Sequence, residues 1–264
     1  TSALLRSARW TLSALASPAV VRHTIVVCVL FAMAIIVPPA DAQDVRVGVR
    51  VGPTFGFLTD DGVPFSSNIG TNANMRLDFH AGVHVVVPLT DHFALQPELL
   101  YVQKGGHFSQ PRSQSYAVEQ YRLSYVQGEL LGRHDVSIPG PLSLHAVAGL
   151  SVDVALGGAL RRDLRTVDID FGERVALAET GQLRRWDIGA LIGVGFGYPV
   201  GGASRLALEL RYNPGFRSVF DSSERPAAPR PDGGEEVFPL TGSSLRHDVV
   251  TASLSYTLPL GSLF

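Results

Sequence analysis

The sequence predicts an all-β fold: an eight-stranded antiparallel up-and-down transmembrane β-barrel. Three observations carry this: eight segments in which apolar and polar residues alternate with period two, connections that alternate between long and short, and a polar face of Gly, Ser, His and single charges. Charged residues make up 17%, well below an average soluble domain, against an ordinary 45% hydrophobic fraction, so the chain is too polar for a helical membrane protein. A net charge of −2 and basic residues scattered through the strands give no sign of a nucleic-acid partner. Lys104 is the only lysine; the other basic residues are arginines, which suit fixed, hydrogen-bonded ion pairs.

Residues 1–42 are expected to be a leader. "TIVVCVLFAMAIIV" (24–37) follows Arg22 and His23 and precedes "PPADAQ", the order of a secretory signal peptide. Ala40, Asp41 and Ala42 form an A-x-A site, so cleavage is expected after Ala42, leaving 43–264 as the barrel domain. The apolar run is shorter than the ~20 residues of a spanning helix. A first residue of Thr instead of Met reads as a truncated or mis-started frame, and Cys28, the only cysteine, leaves with the leader.

The eight runs lie near 44–58, 75–89, 92–105, 120–133, 141–157, 184–200, 203–214 and 247–261. In the first, Val45, Val47, Val49 and Val51 oppose Arg46, Gly48, Arg50 and Gly52. In the second, Leu77, Phe79, Ala81, Val83, Val85 and Val87 oppose Asp78, His80, Gly82 and His84. The fifth opposes Leu144 to Val154 with His145, Gly149, Ser151 and Asp153; the sixth opposes Trp186 to Tyr198 with Asp187 and four glycines; the seventh sets Leu206 to Tyr212 against Arg205, Glu209 and Arg211. The fourth, "YRLSYVQGELLGR", changes its polar parity between Arg122/Ser124 and Gln127/Glu129, which predicts a β-bulge that switches register.

Connections 59–74, 106–119, 158–183 and 215–246 are long, and those near Thr90, 134–140 and Gly201 are short. In a meander every long connection then falls at one edge, the plan of an outer-membrane barrel with short periplasmic turns and long external loops. Period alone also allows a soluble lipocalin-type barrel with reversed faces. The sparse polar face and the absence of a G-x-W signature in the first strand favour apolar residues outside. Tyr101, Tyr121, Trp186, Tyr198 and Tyr212 fall near strand ends, where interfacial girdles lie. The last strand keeps its period and ends in Phe264, which resembles the signal that such proteins present to the barrel assembly machinery.

Together, "GVRVGPTFGFL", "HAGVHVVVPLTDHFALQPELLYVQKGG" (80–106), "WDIGALIGVGFGY" (186–198) and "LALELRYNPGF" (206–216) resemble the PorT-like outer-membrane β-barrel proteins of the Bacteroidetes. The match runs nearly the length of the mature chain, and the hairpin is its most specific part. One departure is "YVQGELL", where the family carries a proline after a Tyr-x-Glu-like pattern. The resemblance implies a bacterial outer-membrane protein embedded in lipid, with secretion-system or envelope proteins as candidate partners.

Catalytic and metal chemistry find little support. His80 and His84 lie about 13 Å apart along a strand and cannot chelate one ion unaided. "GVGFG" (193–197) lacks the helix a nucleotide loop needs. Ser244, His247 and Asp248 are the ingredients of a hydrolase, but too close in sequence to converge as a triad. Asp60 and Asp61 read as a solvated loop tip, and the Pro-, Gly- and charge-rich segment 216–242 as an external loop. No catalytic, metal or cofactor residue is therefore assigned. The expected structural network in a filled lumen is Arg46, Arg50, Asp78, His80, His84, Glu98, Asp153, Asp187, Glu209 and Arg211, with both arginines of the first strand reaching acids such as Asp187 and Glu209. The expected function is structural or accessory; the alternative is a small outer-membrane enzyme or a surface ligand or adhesion binder.

Overall fold

The computed structural model describes residues 45–59, 72–112, 115–166, 170–176, 183–201, 203–219, 228–229, 235–236 and 246–262. Residues 1–42, Asp60, Asp61, Ser244, Phe264 and most of 216–242, on which several expectations fall, lie outside them. The strands are β1 (Arg46–Thr59), β2 (Asn72–Asn74), β3 (Arg76–Pro88), β4 (Phe93–Arg112), β5 (Ser115–Ser137), β6 (Ser143–Thr166), β7 (Asp170–Ala176), β8 (Trp186–Gly201), β9 (Ser204–Pro214), β10 (Ala228–Pro229), β11 (Glu235–Glu236) and β12 (Arg246–Pro259). Eight of them, β1, β3, β4, β5, β6, β8, β9 and β12, pair antiparallel in chain order. Because β1 also pairs with β12, Arg46 opposite Pro259 and Thr59 opposite Arg246, these eight strands close into a barrel, with β2 and β7 added beside β4 and β6.

The tight turns form as their residues dictate. The Thr90 hydroxyl accepts from the backbone N–H groups of His92 and Phe93 (3.3 and 3.0 Å) between β3 and β4. Gly140 and Gly201 supply the positive φ, 101° and 122°, of the other two turns.

The faces divide as a membrane barrel requires. Leu77, Leu150, Ile192 and Leu208 point outward and are 60–64% exposed, while Arg50, Glu98 and Arg211 point inward and are 0–3% exposed. This apolar outside and polar inside rule out the lipocalin arrangement.

Three expectations need correction. Segment 106–119 is mostly not a loop: β4 and β5 continue as one ladder to Arg112 opposite Ser115, and β6 runs on to Thr166 with β7 paired beside it. The register shift lies on β6, not β5: Ser124 faces Gly157 and Tyr125 faces Ala155, which leaves Leu156 as the extra residue. β5 itself keeps one inward parity throughout, from Tyr121, Leu123 and Tyr125 to Gln127, Glu129, Leu131 and Arg133, all buried. Its polar pattern flips because the interior changes from apolar to polar along the barrel axis. Inside the external half, Leu58, Tyr121, Leu123, Tyr125, Leu160, Leu183 and Val219 form an apolar cluster. Outside at that height the strands have passed the apolar band, and Arg122 and Arg161 face outward with side chains 56% and 65% exposed. Tyr121 therefore belongs to this inner cluster and not to an aromatic girdle.

Candidate functional site in the barrel lumen

The centre of the lumen is a cluster of two guanidiniums and three carboxylates. Arg50 from β1 donates from Nη1 to Glu209 Oε1 at 2.7 Å and approaches Glu98 Oε1 at 3.4 Å. Arg211 from β9 forks across to β4, donating to both oxygens of Glu98 (2.6 and 3.0 Å), and reaches Glu129 on β5 at 2.6 Å. Its Nε also donates to Glu209 on its own strand. His145 Nε2 meets the second oxygen of Glu209 at 2.8 Å, and Gln96 donates to Glu98 at 2.6 Å. Every strand needs inward residues of one parity to build this, and the alternating sequence supplies them. Arginine suits the place because its planar fork can satisfy several carboxylate oxygens at once.

Glycines create the space. A Cβ on Gly48 would sit 2.5 Å from the His84 ring, and one on Gly195 would sit 2.5 Å from the His145 ring. Only glycine leaves room for the histidine rings of the neighbouring strands.

Around the core several of the remaining polar groups pair locally. His80 bridges Thr54 (3.2 Å) and Ser253 (2.9 Å), and His84 meets Thr257 at 3.1 Å. Nearer the outside, Lys104 donates to Asp153 at 2.6 Å and stands 5.4 Å over the Tyr125 ring, whose hydroxyl meets His247 Nε2 at 3.1 Å. A cavity lined by Arg50, His80, Lys104, Glu129, Arg211 and Ser253 has room for about one water molecule.

The structure thus brings Arg50, Glu98, Glu209 and Arg211 into one cluster, with His80 and His84 beside it. Asp153 pairs separately with Lys104. Asp78 lies between Arg76 (2.8 Å) and Arg122 (3.7 Å), away from the centre. Two expected contacts fail. Asp187 accepts from the Ile188 backbone N–H at 2.8 Å and meets no arginine side chain of β1. Arg46 has no acid partner among the described residues and lies at the opposite end of the barrel from Asp187. Sequence reasoning named the right face for both but had no measure of height along the barrel. It omitted Glu129, His145, Lys104 and Gln96, whose signal was their polar identity at inward parity.

Among the described residues no group of three or more His, Cys, Asp or Glu could hold a metal ion. His247 is buried in the lumen, whereas Asp248 is the hydrogen-bond acceptor of Tyr212 (3.0 Å) on the other face of β12, so these two do not form the pair a triad needs.

Comparison with known proteins supplies the context. The family model described as outer membrane protein beta-barrel domain matches residues 41–221. Among solved structures, the chain is similar to Neisserial surface protein A at 13% identity over 79% of this chain and 95% of that one, with a TM-score of 0.37. It is similar to OprG of Pseudomonas aeruginosa at 10% identity, over 81% and 95% with a TM-score of 0.39, and to Ail of Yersinia pestis at 9%, over 81% and 99% with a TM-score of 0.35. No curated protein matches.

Proposed function

The chain belongs to the outer membrane protein beta-barrel domain family, and on that premise we propose that it is a structural or accessory protein of the bacterial outer membrane that works through its two ends, not through a pore. One observation carries the reading: the lumen is crossed by Arg211 and Glu98, in contact from opposite walls, with room for about one water molecule beside them. A barrel of eight strands filled in this way has its inner surface committed to its own packing. Its free surfaces are the external extensions of β4 to β7 and the short turns at the other end. The PorT-like sequence elements support a place among barrels that serve secretion or envelope organisation. On the same reading residues 1–42 are a leader removed after Ala42, and the assembly machinery recognises the final strand.

Photo-cross-linking in intact cells tests this. A photoreactive residue at position 163 on the external extension, and another at position 89 or 142 in the short turns, should give a discrete adduct with an envelope protein from at least one end. Absence of adducts from both ends, with the barrel correctly inserted, contradicts an accessory role.

A further inference from the structure

Among the described residues, the mouth of the barrel at its short-turn end carries more positive charge than its acids neutralise. Arg46 starts β1, Arg205 is the second residue of β9, and Arg133 lies near the end of β5; all three occupy inward-facing positions at that end. Asp135 is the only carboxylate facing them among the described residues, and it is taken by Arg133, which donates to it from Nε and Nη2 at 3.0 and 2.8 Å. Arg46, Arg133 and Asp135 are near enough for their charges to act on Arg205. Neither Arg46 nor Arg205 has a side-chain hydrogen bond or ion pair among the described residues, and both are only partly exposed. Arg205 also lies in a prepared position, over Gly197, where a Cβ would sit 2.8 Å from its Cδ.

We propose that this mouth binds a phosphate-class dianion from the periplasmic side. Among the described residues three guanidiniums stand against one carboxylate, which leaves two positive charges that a dianion balances and a single carboxylate does not. The guanidinium fork matches tetrahedral oxyanions, and arginine keeps its charge at any physiological pH. The anion is either free or carried as a phosphate monoester on a lipid headgroup.

The test uses the whole barrel, purified in micelles without phospholipid, with chloride exchanged for inorganic phosphate at constant ionic strength while Tm is followed. Phosphate should raise Tm saturably. Arg46→Gln and Arg205→Gln should each raise the half-saturating concentration by about tenfold or more, as loss of a charge-assisted contact does. Heat-modifiable migration verifies that both variants fold. If micelles show no response but nanodiscs containing phosphatidic acid, against phosphatidylcholine alone, raise Tm in the wild type and not in the variants, the lipid headgroup is the source. A response to phosphate no larger than to chloride in both settings, or one unchanged in the double variant, overturns the proposal.

Discussion

Arg211 and Glu98 meet across the lumen from β9 and β4, four strands apart in a ring of eight, with the guanidinium spanning both carboxylate oxygens at 2.6 and 3.0 Å. The contact braces opposite walls. Hydrogen bonds between adjacent strands set the barrel's circumference, and contacts across the lumen such as this one resist flattening of its cross-section. Arg211 also holds Glu129 and Glu209, so three carboxylates depend on one residue and on Arg50.

Replacing Arg211 with Met should therefore destabilise the barrel by about 3–5 kcal/mol, because the change leaves buried carboxylates without their partner. Urea unfolding in lipid vesicles measures it. Arg211→Lys should recover only part of the loss, since an ammonium cannot span two oxygens and still reach Glu129.

The two arginines of β1 should separate cleanly. Arg50→Glu puts a fourth carboxylate beside Glu98 and Glu209 and should prevent heat-resistant migration on a gel. Arg46→Glu removes a charge from an overly basic mouth and places an acid near Arg205, so its resistance to heat should equal or exceed that of the wild type.

Glycine packing against histidine gives a steric prediction. Gly48→Val drives two methyl groups into the His84 ring and should cost about 1–3 kcal/mol. Gly132→Val, where the nearest atom would lie 3.7 Å from the new Cβ, is the matched control and should cost little in the same unfolding assay.

The outward apolar face is tested by depth. Leu208→Arg exposes a charge to lipid and should destabilise the folded barrel by about 2–4 kcal/mol in vesicles. Arg161→Leu, above the apolar band, should change stability by much less.

Much of this architecture was legible in the residues, for a specific reason. On β8 and β9, Trp186 to Tyr198 and Leu206 to Tyr212 lie within the membrane band, where lipid demands apolar residues at every second position, so parity and strand identity follow directly. Beyond the band that demand ends. The extension of β4 to Arg112 and of β5 back to Ser115 carries no alternation set by lipid, and it reads as a loop. The same inversion, with Leu123 inside and Arg122 outside, gave β5 the look of a bulged strand, while the actual extra residue, Leu156, sits on its neighbour. Within the site, parity assigned Arg46 and Asp187 to the lumen face. Their separation along the axis depends on strand stagger, which no local pattern encodes.

The central claim is that the interior is a closed, ion-paired brace. Single-barrel conductance in planar lipid bilayers tests it most directly. The wild-type protein should insert without a steady ion current, and a variant that truncates Arg50, Glu98 and Arg211 to Ala should, where it still inserts, open a measurable water-filled path. A stable ohmic current through the wild-type barrel, unchanged by those substitutions, would contradict the account.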